Sequence, residues 1–184
     1  MIVVISGPSG VGKGTVVDDL LRRNHDMHRS ISATTRAPRP GEIDGTDYHF
    51  VTPEQFSIWV DNGLFAEYAV VRDNQYGTLK SSLNAVEPSE IVVLTIDIQG
   101  GLQIKRLFPD SLLIFLKPPD FRELERRLSS RGSEAACEIA GRLELGRHEM
   151  AFAKDYDYMV TNDRLERAVG IVDAIIRRVL RGQE

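Results

Sequence analysis

The sequence has a single cysteine, Cys137, among its 184 residues. One cysteine excludes an internal disulfide and is typical of a protein from a reducing compartment. No apolar run approaches the roughly 20 residues of a membrane-spanning helix. The apolar segment 2–5 is also too short for the core of a signal peptide. These absences predict a cytoplasmic protein with no membrane partner.

Positive charge is also in short supply. The chain has 23 lysine and arginine residues against 27 aspartate and glutamate residues, which gives a net charge of −4. Because nucleic-acid-binding proteins usually present a basic surface, this balance argues against a nucleic-acid partner. Any site for an anion must therefore be a local cluster of arginine and lysine side chains.

The remaining composition, 42% hydrophobic and 27% charged, is that of an ordinary globular protein. A chain of this length can form one α/β domain with a sizeable core and is short for two. No internal repeat or low-complexity tract divides it. We therefore predict a single domain over residues 1–184.

A glycine-rich segment follows the first apolar run of the chain. The run Ile-Val-Val-Ile at 2–5 predicts a buried strand, and the apolar residues of 15–21 predict the first turns of a helix. A strand, a glycine-rich loop with a lysine and a helix, in this order, predict a phosphate-binding loop whose backbone N–H groups and lysine face the phosphates. The alternative is a glycine-rich turn with one exposed lysine. The segment consists of Gly7, Pro8, Ser9, Gly10, Val11, Gly12, Lys13, Gly14 and Thr15.

Later apolar runs indicate the rest of the fold. The runs 91–96 and 111–116 are nearly continuous, as in parallel strands buried on both faces. Asp97 follows the first of them, at the edge where open α/β sheets bind ligands. A short strand over 156–160 and an amphipathic helix over 165–180 complete the pattern. Strands alternating with helices predict an α/β protein with a P-loop nucleotide-binding fold, in which helices flank a parallel sheet.

The region between the first two predicted core strands is less regular. Residues 24–29 predict a polar connection, 30–34 and 65–71 predict strands, 74–78 predict a turn, and a helix is expected to start at Pro53. Glu67 lies in an apolar-rich strand, either as an outward-facing residue or as a placed hydrogen-bond acceptor. Arg36 and Arg39 could converge on one dianion, since a guanidinium donates two parallel hydrogen bonds to phosphate. The alternative for these arginines is a solvated basic turn.

Two more arginines lie in a helical segment near the middle of the second half. Arg131 stands where a helix breaks at Gly132, and Arg142 follows on a helix that could fold back. Arginines on a segment that closes over a reacting phosphoryl group can stabilise its developing charge while the closure excludes water.

A string of short motifs resembles the guanylate kinase family. They follow one another in order over nearly the whole chain, which makes the resemblance far more specific than the phosphate-binding loop alone. The motifs are Ser-Ala-Thr-Thr-Arg-Ala-Pro-Arg at 32–39, Gly-Thr-Asp-Tyr-His-Phe at 45–50, Phe-Ala-Glu-Tyr at 65–68, Tyr-Gly-Thr at 76–78, Ile-Asp-Ile-Gln-Gly at 96–100, Arg-Gly at 131–132 and Val-Thr-Asn-Asp at 160–163.

The resemblance implies ATP:GMP phosphotransfer, in purine nucleotide metabolism and GMP recycling, with Mg²⁺ accompanying ATP. It implies a core of about 1–31, 90–125 and 150–184, an inserted mixed GMP-binding subdomain of about 32–86 and a helical lid of about 126–149. Monomer or homodimer, and dGMP as a further acceptor, stay open. Arg36, Arg39, Tyr48 and Tyr76 would hold the GMP phosphate, and Ser32, Glu67 and Thr78 would read guanine. Asp97 would lie near the metal and GMP, Arg131 and Arg142 would reach from the lid, and Asn162 would lie by the ATP base.

Two positions depart from the family pattern. A serine or threonine usually follows the loop lysine, but Gly14 stands there and the hydroxyl arrives at Thr15. The Gly-Thr pair also occurs within the family and in adenylate kinases, and suggests that Mg²⁺ is held mostly through water and the two nucleotides. Family members often carry an acid two residues before Asp97, where this chain has Thr95.

Two alternatives share the same fold. One is an adenylate kinase or other nucleoside-monophosphate kinase, against which the carboxylate of Glu67 favours guanine. The other is the non-catalytic guanylate kinase-like domain of scaffold proteins, which binds phosphorylated peptides and typically has a degraded phosphate-binding loop. Lys13 and the full set of loop glycines favour the enzyme.

Overall fold

The computed structural model describes residues 1–71, 73–84, 90–129 and 136–182. The strands are β1 (Ile2–Ser6), β2 (Met27–Arg29), β3 (Ala33–Thr34), β4 (His49–Phe50), β5 (Phe65–Val71), β6 (Asn74–Leu79), β7 (Ile91–Thr95), β8 (Leu112–Lys117) and β9 (Tyr158–Thr161). The helices are α1 (Lys13–Arg23), α2 (Pro53–Asp61), α3 (Ser81–Asn84), α4 (Ile98–Leu107), α5 (Phe121–Ser129), α6 (Ala136–Met150) and α7 (Leu165–Arg181), with a 3₁₀ helix at Ala151–Asp155.

Five strands form a parallel sheet in the order β2-β7-β1-β8-β9. The central strand β1 pairs in parallel with β7 on one side and with β8 on the other, so Val4 lies opposite both Leu94 and Leu113. The three central strands β7, β1 and β8 are apolar and almost fully buried because helices cover both faces. The predicted parallel sheet flanked by helices is confirmed.

Two hydrophobic clusters occupy the two faces of this sheet. One face packs against α1 and α7, through side chains such as Leu20 and Ile176. The other packs against α4 and the 3₁₀ helix, where Ile104 and Tyr156 contact the strand residue Phe115. Packing on both faces fixes the positions of the strands. It therefore also fixes the strand ends from which the loops at the carboxyl edge leave.

A second, smaller sheet has the order β4-β3-β6-β5. It is mixed, because β3 and β4 are parallel while β6 runs antiparallel to both β3 and β5. Its own core consists of Ala33, Phe56 and Phe65, and the rings of the two phenylalanines stack at 4.5 Å between centroids. Since Phe56 comes from α2, that helix anchors the sheet. The separate mixed sheet agrees with the inserted subdomain that the sequence predicts.

Two local predictions are wrong. Residues 24–29 are not only a polar connection, because Met27–Arg29 form the edge strand β2, paired with β7. Residues 74–78 are not a turn but most of β6, which pairs with β5 and β3. The expected strand over 30–34 is shorter, with only Ala33–Thr34 in β3. In each case pairing with a strand distant in sequence decides the backbone conformation, which local composition does not report.

The parallel sheet and the mixed sheet set the positions of the functional loops. The glycine-rich segment leaves the carboxyl end of β1, and Asp97 leaves the carboxyl end of the neighbouring strand β7. None of the described helices is both long and apolar enough to cross a membrane.

Candidate functional site

The glycine-rich segment curls around the N-terminus of α1. Gly12 is the N-cap residue of α1 with a φ of 98°, in the left-handed region that glycine adopts without strain. A Cβ at this position would come within 2.7 Å of the side-chain nitrogen of Asn162. The Val11 N–H donates to the carbonyl of Pro8 over 3.1 Å and closes the loop. The segment thus has the strand–loop–helix arrangement of an anion-binding loop.

Lys13 begins α1 and turns its side chain back over the loop. Its Nζ donates to the carbonyl oxygens of Gly7 over 2.5 Å and Pro8 over 3.2 Å. Burial lowers the pKa of this ammonium, and the neighbouring carboxylates of Glu149 and Asp97 oppose that effect. The ammonium therefore lies at the mouth of the loop. A bound phosphate would replace the loop carbonyl oxygens as its hydrogen-bond acceptor.

Two neighbouring cavities open at the carboxyl edge of the parallel sheet. The first is lined by loop residues from Ser9 to Thr15 together with Arg142, and the second by residues of the mixed sheet together with Asp97. Six residues line both: Ser9, Lys13, Ser32, Arg39, Tyr48 and Thr95. The shared lining means that groups bound in the two cavities would meet beside Lys13.

Glu67 lies buried in the second cavity. Its Oε1 accepts a hydrogen bond of 2.6 Å from the Thr78 hydroxyl across the β5–β6 pairing. Burial raises the pKa of Glu67 to about 7, the charge of Asp97 adds to this rise, and the Thr78 hydrogen bond opposes it. The sequence left open whether Glu67 is an outward-facing residue or a placed hydrogen-bond acceptor. The fold supports the hydrogen-bond acceptor. Thr78 acts through this carboxylate and does not line either cavity.

The carboxylate of Glu42, which the sequence did not mark as functional, holds the side chain of Arg36. Its Nη2 donates to both oxygens of Glu42, each over 2.9 Å, and Glu42 also accepts from the Arg39 N–H over 2.7 Å. The guanidinium carbon of Arg36 lies 5.5 Å from the centroid of the Tyr48 ring. The Tyr48 and Tyr76 rings meet edge to face at 6.0 Å. Arg36, Arg39 and both tyrosines line the second cavity, with Arg36 partly buried and Arg39 exposed.

Asp97 caps α4 and faces Lys13. Its Oδ1 accepts from the Gly100 N–H over 2.8 Å, and burial raises the pKa of its carboxyl while the Lys13 charge lowers it. Thr95 is the last residue of β7, and its hydroxyl is buried without a hydrogen-bond partner among the described residues.

Arg142 reaches the phosphate-binding loop from α6. It is 9% exposed, and its Nη2 donates to the Ser9 hydroxyl over 2.7 Å. The other arginine expected from the lid, Arg131, lies outside the described residues. Arg142 therefore approaches the loop that holds Lys13, as the sequence predicts for a residue that closes over a phosphoryl group.

Asn162, which the family resemblance would put by the ATP base, contacts the phosphate-binding loop. Its side-chain N–H donates to the Val11 carbonyl over 2.8 Å, and the residue is 6% exposed. Arg127 donates to the same carbonyl and to the carbonyl of Asn162. Asn162 lines neither of the two cavities. These contacts support the loop from behind.

Sequence reasoning missed three residues: Glu42, Arg127 and Glu149. Glu149 lines the second cavity together with Lys13. Its spacing of seven residues from Arg142 in a helical segment was the available signal, since residues two turns apart share a helix face. For Glu42 and Arg127 no local pattern was available, because their partners depend on how the chain folds.

The fold and the site define a P-loop protein built to hold two phosphate-bearing groups side by side. The guanylate kinase family model matches residues 1–179. The chain is 45% identical over 177 residues to the guanylate kinase of Prochlorococcus marinus, with 96% of each chain covered. It is 44% identical over 177 residues to that of Caldanaerobacter subterraneus, covering 96% of this chain and 86% of the relative.

A solved structure leads to the same family. The crystal structure of guanylate kinase from Anaplasma phagocytophilum superposes with a TM-score of 0.81 at 32% identity, and the match covers 97% of this chain and 85% of that one. This chain therefore belongs to the guanylate kinase family, which are ATP-dependent nucleoside-monophosphate kinases.

Proposed function

We propose that this chain transfers the γ-phosphoryl group of ATP to GMP and releases ADP and GDP. The observation that carries the proposal is the pair of adjoining cavities, one formed by the phosphate-binding loop and the other containing the buried carboxylate Glu67 and the arginine cluster. Lys13 lines both cavities. A donor triphosphate and an acceptor monophosphate would therefore meet at this ammonium.

On the donor side, the loop from Gly7 to Thr15 binds the ATP phosphates through its backbone N–H groups. Lys13 neutralises the β- and γ-phosphates. Arg142, and Arg131 from the same lid, stabilise the charge that develops on the transferring group. The Ser9 contact of Arg142 supports this role, because it holds the guanidinium beside the loop. Asn162 contributes on this side through the loop or at the adenine base.

On the acceptor side, the ionised Glu67 accepts hydrogen bonds from guanine N1–H and the 2-amino group. Adenine presents no such pair of donors, and a buried polar group left unpaired rejects the wrong base strongly. Ser32 and Thr78 assist, Thr78 by orienting the carboxylate. Arg36, Arg39, Tyr48 and Tyr76 bind the GMP phosphate, and Asp97 closes the cavity towards Lys13.

The transfer needs little covalent work from the protein. An oxygen of the GMP phosphate forms a bond to the γ-phosphorus as the bond from that phosphorus to the β–γ bridging oxygen breaks, and ADP leaves. The acceptor is already an anion, so no general base is required. The rate enhancement comes from aligning the two nucleotides, neutralising their charge and excluding water.

We also propose that Mg²⁺ enters with ATP, where it would neutralise part of the phosphate charge. Mg²⁺ prefers oxygen ligands and keeps several waters. Two oxygen donors of that kind are present: the Thr15 hydroxyl lines the first cavity, and the Asp97 carboxylate lines the second. No group of three histidine, cysteine, aspartate or glutamate side chains that could hold a metal ion occurs among the described residues.

The decisive experiment compares acceptors with purified protein. ADP formation from ATP is measured with GMP, dGMP, AMP and UMP, and GMP is expected to be the preferred acceptor, with dGMP used as well. A preference for AMP would contradict the assignment of Glu67 to guanine. K13A is expected to abolish turnover and leave GMP binding largely intact, and turnover unchanged by K13A would contradict the role of Lys13.

The setting of the enzyme is also proposed. The single cysteine and the acidic net charge fit a cytoplasmic enzyme that acts on small nucleotides, with no nucleic-acid or membrane partner. It would act as a monomer or a homodimer, which light scattering of the purified protein distinguishes.

A further inference from the structure

Helix α6 turns one face towards the two cavities. Arg142 lines the first cavity and Leu145 the second, and their spacing of three residues places them on the same face of the helix. The Arg142 Nη2 donates to the Ser9 hydroxyl over 2.7 Å, which ties this face to the phosphate-binding loop. A Cβ built on Gly146 would lie only 3.5 Å from the Cβ of Pro8, so α6 also packs closely on the loop. These contacts fix the position of Leu145 at the second cavity.

Leu145 exposes apolar surface at this cavity. The residue is 42% exposed, although most leucines of this chain are buried or partly buried. Within the described part of the chain, Leu145 is the only one of the exposed large apolar residues that lines either cavity. Because apolar surface is favourably removed from water, a ligand with an apolar face would bind more tightly by covering this side chain.

The rest of the second cavity combines apolar walls with a few polar groups. Its other apolar side chains are Ala69 and Val71 of β5 and Ile96, which follows β7. Small-molecule sites typically have such walls, with polar groups that fix the orientation of the ligand. A purine ring matches this arrangement, since its faces are apolar and its edges form hydrogen bonds. Glu67 is the group proposed to bind an edge, which leaves the apolar side chains for the faces.

We propose that Leu145 packs against a face of the guanine ring and thereby sets how tightly the acceptor base is bound. This inference rests on the proposed function. It makes α6 a helix that contacts the acceptor base through Leu145 and the phosphate-binding loop through Arg142. Binding of GMP covers an apolar side chain that is exposed in the free protein, and this burial favours binding.

The first test observes the contact directly and does not depend on activity. Leucine δ-methyl groups are labelled with ¹³C in the full chain, and the Leu145 signals are assigned by their loss in L145M. With saturating GMP we expect these methyl signals to shift upfield in the ring current of guanine and to show nuclear Overhauser effects to its H8 proton. Absence of both effects would overturn the proposal. A shift that follows the protein concentration and not GMP would assign Leu145 to a contact between copies of the chain, and would overturn the proposal as well.

The second test measures the effect on affinity by calorimetric titration of GMP. L145A is expected to raise the Kd about 4- to 15-fold, the effect of removing one or two methylene-sized groups from an apolar contact. L145M is apolar and close to leucine in volume, so it should keep most of the affinity. L145N is polar and should lose affinity as L145A does.

The matched control is L165A. Leu165 is an exposed leucine of α7 that lines neither cavity, so L165A should leave the affinity for GMP unchanged. Equal Kd values for GMP in L145A and L165A would overturn the proposal. A lower Tm in L145A than in L165A, with no methyl contact to GMP in the wild type, would assign Leu145 a structural role and overturn it too.

The two tests also separate this proposal from the proposed function. If wild-type protein does not phosphorylate GMP, the proposed function fails, while the methyl signals still report whether GMP contacts Leu145. If the wild type is active and its Leu145 methyl signals do not respond to GMP, only the role of Leu145 fails.

Discussion

Gly100 leaves the space that the Glu67 carboxylate occupies. A Cβ built on Gly100 would overlap the Oε2 of Glu67 and lie 3.0 Å from its carboxyl carbon. The other oxygen, Oε1, accepts from the Thr78 hydroxyl. The carboxylate is thus held between a hydroxyl on β6 and the first turn of α4, and neither side can shift without moving the group proposed to bind guanine.

Replacing Gly100 with alanine is expected to raise KM for GMP on the order of 10- to 100-fold, because small displacements of a positioning group cost that much. KM for ATP should change much less. G170A is the matched control, because Gly170 lies in α7 with open space around its Cα. Steady-state kinetics of both variants test this expectation, and equal KM values for GMP in G100A and wild type would show that the Gly100 contact is unimportant.

The affinity for GMP should rise with pH through about 7, where burial places the pKa of Glu67. Below this pKa the carboxyl is protonated and offers a proton where guanine also offers donors, so binding weakens. Calorimetric titration of GMP between pH 5.5 and 8.5 measures the effect. The GMP phosphate itself ionises near pH 6. E67Q has no carboxyl at this position, so the pH dependence of its GMP affinity comes from the phosphate alone. A wild-type profile parallel to that of E67Q would contradict the prediction.

Removing the Thr78 hydroxyl should strengthen this dependence. Thr78 favours the ionised form of Glu67 by donating to Oε1. T78V keeps the shape of the side chain and removes the donor, so the pKa of Glu67 should rise and the pH needed for GMP binding should move upward. A hydrogen bond to a charged group contributes about 1.5–3 kcal/mol, so GMP affinity at pH 7 is expected to fall about tenfold or more. An unchanged affinity would rule out Thr78 as the group that orients Glu67.

The same carboxyl should make stability depend on pH. Because the pKa of Glu67 is raised from 4.5 to about 7 in the folded chain, folding favours its protonated form. Its contribution is therefore fully present below about pH 4.5 and is lost as the pH rises through 7. E67Q should accordingly have a higher Tm than wild type at pH 8, and the difference should shrink at pH 5. Thermal unfolding at both pH values measures this, and a constant difference would contradict it.

Asn162 offers a test between loop support and base recognition. If its hydrogen bond to Val11 is its main role, N162A should raise KM for ATP and for GTP as donor in the same proportion. It should also destabilise the fold by about 0.5–1.5 kcal/mol, because the Val11 carbonyl loses one donor and keeps the one from Arg127. M159A, at an exposed position of β9, the strand directly before Asn162, serves as the control. A change in the ratio of ATP to GTP use would assign Asn162 to the base.

The sequence alone determined the framework of this protein. Apolar runs predict the parallel sheet and the position of Asp97 after β7. Glycine and lysine at fixed spacing predict the phosphate-binding loop after β1. Both signals act over only a few residues. The family resemblance added the residues proposed to bind GMP. Thr78 and Glu67 were expected together near guanine, but their mutual hydrogen bond was not part of that expectation.

Only the tertiary structure decided which groups meet across the chain. Contacts between segments distant in sequence are the pairing of the edge strand β2, the hydrogen bonds of Asn162 and Arg127 to Val11, and the hydrogen bond of Arg142 to Ser9. Local patterns do not report such pairs, because burial and long-range hydrogen bonding select them only after the sheets and helices have packed.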